Sequence, residues 1–250
     1  MTENEWNSFC SFRDDFKKKI EEWKSLAPEI FRLSKEASLK DTPAYPLENP
    51  LVYNTALDEI QKDDCIRLIV IGDNPGKNEQ LSKNQKYLVG QSGKLAEGFF
   101  KKNGQLGVDF RKNVIILNKT PVHTAKTGHL KYLMKNGSPE LCNIIEESQK
   151  WMAERTALLH KSLENCSLWL VGYSELKKNG IFKVYRDGLF ASYGEGNGGA
   201  YDRLFVYQHF SMNSFSRDLK KFMEVHSALS LEQALNELGR AHRDEIFGAN

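Results

Sequence analysis

Four short apolar runs alternate along the chain with longer segments of helical periodicity. The runs cover residues 66–71, 114–117, 168–171 and 204–208, and they are apolar on both alternating faces. Such runs predict strands buried on both sides of a parallel sheet, and right-handed crossovers through the intervening helices give all four strands one direction. The sequence therefore predicts a three-layer α/β/α sandwich with a four-stranded parallel central sheet.

The segments between the runs predict helices from their apolar spacing. Residues 5–34 are expected to form one long amphipathic helix, and residues 40–54, with three prolines, a connector. Ser92 is expected to cap a helix that Gly104 ends, while Ser138 and Pro139 open another. Three further helices are predicted over 174–178, 215–225 and 230–243. Residues 180–200, ending in GEGNGG, are expected to be irregular or hairpin-like.

Length and composition indicate a globular protein with one main domain. The chain has 250 residues with 40% hydrophobic content, enough for a single core. Residues 1–54 are expected to pack on an α/β domain of residues 55–225, followed by a helical tail over 226–250. The four cysteines lack metal-site spacing and are expected to be buried or free thiols in a reducing compartment. Without a signal peptide or membrane-spanning run, we expect a cytoplasmic location, or a nuclear one in a eukaryote.

Charge is distributed unevenly, although the formal net charge is only +2. Residues 77–136 hold twelve lysines and arginines against three acidic residues. A basic zone of this kind is typical of proteins that bind a polyanion. The alternative is that these lysines only solubilise the outer faces of helices.

Polar side chains follow three of the four predicted strands at the point where each strand ends. Asp73 and Asn74 follow the first strand, Asn118 ends the second and His209 follows the fourth. Because the carboxyl ends of parallel strands meet at one edge, which is where open α/β sheets bind ligands, we expect these residues to converge.

The loop after the first strand, GDNPG, lacks the Gly-Lys-Ser/Thr of a phosphate-binding loop, so a nucleotide triphosphatase is not expected. Pro75 stiffens the loop, while Gly72 and Gly76 give its backbone freedom, and Asn74 would be held in a direction suited to positioning water. The alternative is an ordinary Asn-Pro-Gly turn.

The other two strand ends carry groups suited to recognising a base. Asn118 offers a donor and an acceptor that complement an imide edge such as that of uracil, or it only caps a loop. His209 can donate a hydrogen bond to an oxygen that acquires negative charge, or it is only structural. Ser211 and Ser214 can hold phosphate oxygens.

These motifs, in this order, resemble those of the uracil-DNA glycosylase superfamily. GDNPG resembles that superfamily's first motif, G-x-(D/N/A)-P-(G/Y), and HFS at 209–211 resembles its H-P-S motif, with Phe210 in place of proline. VIILN at 114–118 resembles the strand whose last Asn contacts the uracil edge, and VGQSGKL at 89–95 resembles a V-G-x-(S/A)-G-x-L segment. LVGYSELKK at 170–178 is also similar, so that the resemblance covers roughly residues 57–222.

The resemblance implies a monofunctional DNA glycosylase that hydrolyses the N-glycosidic bond of a flipped uracil or related deaminated base. Asn74 would orient the attacking water, His209 would stabilise the uracil anion, and Asp73 would contribute its backbone N–H or serve as an alternative water activator. The residues expected to bind the substrate are Gly72, Asp73, Pro75, Gly76, Tyr87, Leu88 and Asn118. Those expected at the DNA backbone are Ser92, Gly93, Lys94, Ser211, Met212, Asn213 and Ser214. Met212 and Asn213 would fill the space that the flipped base leaves.

The same resemblance sets expectations for cofactors and partners. Some members of the superfamily, those with the V-G-x-(S/A)-G-x-L segment, hold an iron–sulfur cluster with four cysteines; those cysteines are absent here, so we expect no iron–sulfur cluster, no metal and no other cofactor. Tyr87-Leu88 replaces the Pro-Phe of those relatives, which leaves Leu88, or else Tyr87, to stack on the base. The expected partner is DNA that contains uracil, bound by a monomer with no membrane contact. Two alternatives are a nucleic-acid-binding relative without turnover and a hydrolase of a small N-glycoside.

Overall fold

The central sheet consists of four parallel strands in the computed structural model, which describes residues 1–194 and 199–248. The strands are β1 (Leu68–Gly72), β2 (Val114–Asn118), β3 (Ser167–Val171) and β4 (Leu204–Tyr207). Their order in the sheet is β2-β1-β3-β4, and each neighbouring pair is parallel. The predicted four-stranded parallel sheet is therefore confirmed, with strand ends shifted by at most two residues.

Eight helices of the described residues cover the sheet. They are α1 (Glu3–Trp23), α2 (Ala27–Ser38), α3 (Gln91–Lys102), α4 (His129–Asn136), α5 (Pro139–Ser162), α6 (Lys183–Tyr193), α7 (Ser214–Val225) and α8 (Leu231–Phe247). Short 3₁₀ turns lie at Lys24–Leu26, Thr55–Asp58, Gly104–Leu106, Tyr173–Leu176, Tyr201–Arg203 and Ser211–Asn213. None of the described helices is both long enough and apolar enough to cross a bilayer.

Alternate residues of every strand face two separate hydrophobic cores, as the pleat of a strand requires. In β1, Ile69 and Ile71 belong to the core beneath α1, α2, α4, α5 and α6. Leu68 and Val70 belong to the core beneath α3, α7 and α8. The sheet is thus buried on both sides, and the three-layer α/β/α prediction is confirmed.

The single N-terminal helix expected over residues 5–34 is wrong, because the chain forms two helices there. A 3₁₀ turn separates α1 from α2, and Pro28 lies in the first turn of α2. Proline inside a continuous helix removes a hydrogen bond and clashes with the preceding turn, whereas in a first turn its missing N–H costs nothing. The helix therefore restarts at the proline.

The predicted caps had mixed outcomes. Ser138 accepts a hydrogen bond from the backbone of Leu141 and caps α5 as predicted. Ser92 does not cap α3, because that helix already begins at Gln91 and its N-cap is Gly90. Gly104 opens a 3₁₀ turn after the end of α3, and the left-handed residue is Gly107.

The region expected to be irregular, residues 180–200, contains α6, and α4 was not predicted. Phe182, Tyr185 and Leu189 are fully buried at helical spacing, and α6 packs along α5. The glycine-rich segment that follows is typical of a loop, although the helical spacing of these three residues is present in the sequence. Most of the GEGNGG segment, residues 195–198, lies outside the described residues.

The C-terminal segment is part of the α/β layer structure. Ser230 closes a capping box at the start of α8. Gly239 of α8 lies against the ring of Tyr207 and allows the helix to approach β4 closely. The helix predicted over 230–243 therefore covers one edge strand of the sheet.

Candidate active site at the carboxyl edge of the sheet

A buried ion pair lies at the carboxyl edge of the sheet. Gly72 and Asn118 are paired in the register of β1 and β2, so the residues that follow them, Asp73 and Lys119, are neighbours. The Lys119 ammonium lies 2.7 Å from Asp73 Oδ1, and it also donates to the carbonyls of Gly72 at 3.1 Å and Val171 at 2.6 Å. Complete burial lowers the pKa of Lys119, and the Asp73 charge opposes that shift. This ammonium fastens the ends of β1 and β3 to the loop after β1.

Lys119 is one of the twelve cations of the basic zone that was predicted to face a polyanion, and for this residue that prediction is wrong. Its side chain is completely inaccessible to solvent and is compensated within the protein. The signal that could have found it is the sheet register, because Asp73 and Lys119 occupy equivalent positions after two adjacent strands.

Asn118 is buried at the end of β2 beside Gly72. Its Oδ1 lies directly against Gly72, in the space where any larger residue would carry its Cβ, so this position requires glycine. Its Nδ2 has no acceptor at hydrogen-bonding geometry in the described part of the chain, although the Glu79 carboxyl lies near enough for its pKa to be affected by this amide. A buried donor without an acceptor costs about 1–3 kcal/mol. A ligand carbonyl at this edge of the sheet can relieve that cost.

Glu79 is a buried carboxyl next to the first motif. Its Oε2 accepts a hydrogen bond from the backbone N–H of Gly76 at 3.2 Å. Burial raises the pKa of Glu79 to about 7, opposed by the backbone N–H groups of Gly76 and Leu88 and by the nearby Asn118 amide. Nothing in the sequence singles out Glu79, since one carboxyl in a Lys/Asn-rich loop is ordinarily exposed.

The Asn74 amide group is held by the segment that follows β2. Its Nδ2 donates to the Val122 carbonyl at 3.1 Å and to the Thr124 hydroxyl at 2.8 Å. Its Oδ1 has no hydrogen-bond partner among the described residues, and the side chain is half-buried. The orientation of Asn74 is therefore fixed, while its carbonyl oxygen remains able to accept a hydrogen bond from water.

His123 holds the backbone of the same loop through the Pro75 carbonyl. A carbonyl can only accept, so the His123 Nδ1–H donates to the Pro75 carbonyl at 2.7 Å, and Nε2 accepts from the Tyr45 hydroxyl at 3.0 Å. Burial lowers the pKa of His123 to about 4, which keeps the ring neutral. In addition, Ser34 of α2 donates to the His123 carbonyl at 3.1 Å. Sequence reasoning missed this histidine, which links the N-terminal segment to the Asn-Pro-Gly turn.

His209 lies just after β4 with its tautomer set by the backbone. The Ser211 backbone N–H donates to His209 Nδ1 at 3.1 Å, and the Ser211 hydroxyl lies 2.8 Å from the same atom. Because Nδ1 accepts, the neutral ring carries its proton on Nε2. Desolvation lowers the pKa of His209, and the nearby charges of Asp73 and Lys119 raise and lower it respectively. Nε2–H is therefore a neutral donor without a partner among the described residues.

The two residues expected to stack on a base have buried side chains. The Tyr87 hydroxyl donates to the Val52 carbonyl at 2.6 Å, and the ring is 1% exposed. Leu88 is 3% exposed and has a left-handed backbone with φ of 51°, which is rare for a bulky residue. Its carbonyl accepts from Arg111 at 2.8 Å and lies directly over Gly93, where no Cβ could fit. Phe210 is also buried, 4.8 Å from the ring of Phe215.

The residues expected at the DNA backbone fall into two groups. Gly93 is buried beneath Leu88, whereas Ser92 is half-buried and Lys94 is exposed at the start of α3. After β4, Ser211 and Ser214 are half-buried, while Met212 and Asn213 are exposed with left-handed φ values of 52° and 58°. The side chain of Met212, at 84% exposure, protrudes into solvent.

Comparisons with known proteins find no matching family model, no similar curated protein and no similar solved structure. The site is therefore interpreted from its own geometry. Within residues 1–194 and 199–248, no group of three or more His, Cys, Asp or Glu side chains could hold a metal ion. The four cysteines are free thiols.

The structure brings several of the expected residues together, whereas Tyr87 and Leu88 are buried in the core. Gly72, Asp73 and Asn118 lie side by side, and His209 is close enough to feel the charge of Asp73. The site offers three groups to a bound ligand: an amide donor on Asn118, a carbonyl acceptor on Asn74 and a neutral imidazole donor on His209. Such a set can hold a neutral ligand rich in carbonyl groups and stabilise negative charge that forms on it.

Proposed function

We propose that this protein is a monofunctional uracil-DNA glycosylase, which hydrolyses the N-glycosidic bond of uracil or a related deaminated base in DNA. The observation that carries the proposal is the Nε2–H of His209, a neutral donor fixed by the backbone at the same sheet edge as the Asn118 amide. A neutral imidazole is suited to an oxygen that gains charge when a uracil anion departs. The order of the sequence motifs adds independent support.

The proposed reaction begins with extrusion of the nucleotide, because a base inside a duplex is out of reach. Asn118 Nδ2 then donates to a base carbonyl, while His209 Nε2–H and the Asp73 backbone N–H donate to another. The bond between C1′ and N1 breaks, and its electron pair stays on the base. Water oriented by Asn74 Oδ1 forms the new bond to C1′, and the proton that it loses passes through solvent to the departing base anion, which leaves as the neutral base. Preorganised donors of this kind are worth about 3–4 kcal/mol each in related oxyanion sites.

The outer surface of the site suits a DNA strand. Met212 protrudes beside His209 and can fill the space left by the extruded base. Lys94 and the hydroxyls of Ser211 and Ser214 can contact phosphates on either side. This supports DNA, rather than a free nucleoside, as the substrate.

A second candidate, binding of an extruded base without turnover, is favoured by one specific observation. Tyr87 and Phe210, the aromatic residues closest in sequence to the motifs, both pack in the core. A base in the site would then lack an aromatic stacking partner from these positions. Binding without release of the base is the outcome that would identify this function.

An excision assay tests the proposal. Single- and double-stranded oligonucleotides that contain one uracil are incubated with the protein, and abasic sites are cleaved with alkali. We expect strand breaks with the parent protein and a loss of about 10²–10³-fold in rate for His209→Ala, the effect of removing one oxyanion donor. The excision rate of Asn74→Ala should fall by a comparable factor, because the variant lacks the side-chain carbonyl that orients water. His226→Ala, an exposed histidine at the end of α7, is the matched control.

The outcomes separate the candidate functions. Strand breaks that disappear in both variants and persist in the control support the glycosylase. Oligonucleotide binding without strand breaks identifies the binding protein. Release of uracil from free deoxyuridine, without activity on oligonucleotides, identifies a hydrolase of small N-glycosides.

A further inference from the structure

A groove runs between α3 and α7, and we call it the α3–α7 groove. It has a volume of about 710 Å³ and opens beside Lys94 and Asn213, two residues of the candidate site's outer surface. No step of the proposed reaction uses this groove. It therefore extends the candidate site in a direction that the chemistry leaves unassigned.

The floor of the groove is apolar and contains a fixed aromatic ring. Leu95, Leu219 and Met223 line it together with Phe99. The Phe99 ring is half-buried and packs edge-on against Phe215, with centroids 4.9 Å apart. A half-exposed ring on an apolar surface suits stacking with a base of any sequence, provided the base is unpaired. Paired bases inside a duplex could not reach this floor.

The rim of the groove is positively charged. Lys94, Lys102, Arg217 and Lys220 line it against one acidic residue, Glu224. Lys220 lies 3.8 Å from Glu224, whereas the other three cations form no ion pair within the described residues. Uncompensated cations above an apolar floor match a chain with charged phosphates and apolar base faces. An uncharged or basic partner does not fit this rim.

We propose that the α3–α7 groove binds a single-stranded stretch of DNA continuous with the nucleotide in the candidate site. The placement of the strand rests on the proposed function, because continuity at Lys94 and Asn213 assumes that the candidate site holds a nucleotide. The rim cations contact phosphates, and the floor takes up unpaired bases. The protein would accordingly favour a target in unpaired DNA over the same target in a duplex.

The test measures binding to uracil-free, fluorescein-labelled single strands of five and fifteen nucleotides by fluorescence anisotropy. The double variant Lys102→Glu/Lys220→Glu is compared with Lys101→Glu/Lys221→Glu. The second pair has the same charge change on adjacent exposed residues that do not line the groove.

We expect the groove variant to bind the 15-mer at least about tenfold more weakly at low salt, with a salt slope reduced by about 1.4. Phe99→Leu, which keeps apolar packing, should weaken 15-mer binding about fivefold.

Three results support the proposal together. The control pair stays within about twofold of the parent protein, the 5-mer is affected less than the 15-mer, and a duplex 15-mer binds more weakly than the single strand. Equal weakening by both double variants overturns the proposal, because it shows only an effect of net charge. Preference for the duplex, or displacement of the 15-mer by polyglutamate at equal charge concentration, also overturns it.

Uracil excision, measured in parallel, separates this proposal from the proposed function. Groove-dependent binding without excision leaves the groove as a single-strand site and rejects the glycosylase. If uracil is excised but the two double variants bind the 15-mer equally well, the glycosylase proposal stands and the groove proposal is rejected.

Discussion

The two halves of the candidate site are built in opposite ways. The inner half, around the loop after β1, is buried; Lys119 and His123 donate hydrogen bonds to it, and the Val122 carbonyl accepts one from Asn74. The outer half, after β4, exposes Met212 at 84% and holds it in a left-handed conformation. The inner half fixes chemical groups in place, whereas the outer half presents an apolar side chain to whatever binds.

The difference shows where the fold gains and loses stability. Left-handed backbone costs about 1–2 kcal/mol for a residue with a side chain, and Met212 and Asn213 are consecutive. Strain of this kind persists where the surrounding structure enforces it, and it marks candidate functional segments. Substitutions that remove a hydrogen-bond or ion-pair partner in the inner half should therefore reduce stability, while substitutions in the outer half should reduce activity at little cost in stability.

The largest effect is expected for Lys119→Met. This change leaves the Asp73 carboxylate, which is 8% exposed, without its counter-charge. We expect the free energy of unfolding to fall by about 3–5 kcal/mol, measured by urea denaturation. Lys135→Met, at an exposed position of α4, is the control and should change stability by less than about 0.5 kcal/mol. A cost below about 1 kcal/mol for Lys119→Met would contradict the importance assigned to the ion pair.

The double variant Asp73→Asn/Lys119→Met sharpens this result. Removing both charges eliminates the isolated carboxylate, so the double variant should be more stable than Lys119→Met alone. If instead the losses of stability in Lys119→Met and Asp73→Asn, measured separately, simply add in the double variant, the pair is not coupled. The inner half is then held by other contacts.

Glu79→Gln should change stability in a pH-dependent way. Burial raises the pKa of Glu79 from an ordinary value near 4.5 to about 7, so the fold favours the protonated form. The contribution of Glu79 to stability is present below pH 4.5 and is lost as pH rises through 7. Glu79→Gln should thus be more stable than the parent at pH 8, by up to about 3 kcal/mol, and the gain should shrink towards pH 5. Urea denaturation at four pH values measures this, and a gain independent of pH would refute it.

Tyr45→Phe tests the support beneath the Asn-Pro-Gly turn. The variant keeps the ring but leaves His123 Nε2 without its donor, so we expect a loss of about 1 kcal/mol in the free energy of unfolding. Tyr132→Phe is the control, because that hydroxyl makes only a 3.4 Å contact with Glu36. Equal effects in the two variants would indicate that the Tyr45 hydroxyl has no special role.

The smallest effect on stability is expected for Met212→Gly. Glycine adopts left-handed backbone without strain, so stability should be unchanged or rise by up to about 1 kcal/mol. If the proposed function holds, excision from a duplex should fall more than excision from a single strand, because the vacated base space is no longer filled. Met212→Ala should show the same loss of activity without the gain in stability. A marked loss of stability in Met212→Gly would remove the contrast between the two halves.

The fold was largely predictable because buried parallel strands leave continuous apolar runs, and those of β1 to β4 are distinct. Asn118 and His209 could be placed at one edge for the same reason. The Asp73–Lys119 pair was not predicted, since it depends on the register of β1 against β2. Glu79 and His123 were missed because their burial arises from loops that pack only in the folded chain. The functional roles of Asn74 and His209 stay predictions until activity is measured.

The hydrogen-bonded link from Tyr45 through His123 to Pro75 means that shortening the protein at its N-terminus would affect the Asn-Pro-Gly turn. A truncated version starting at residue 55 would discard Tyr45 and Ser34, which hold His123, and also Asn54, whose amide donates to the Ile116 carbonyl at 2.8 Å. It would also remove the aromatic residues of α1 from the hydrophobic core on one side of the sheet. The first 54 residues therefore serve as scaffolding for the turn that carries Asn74, and a minimal version has to retain them.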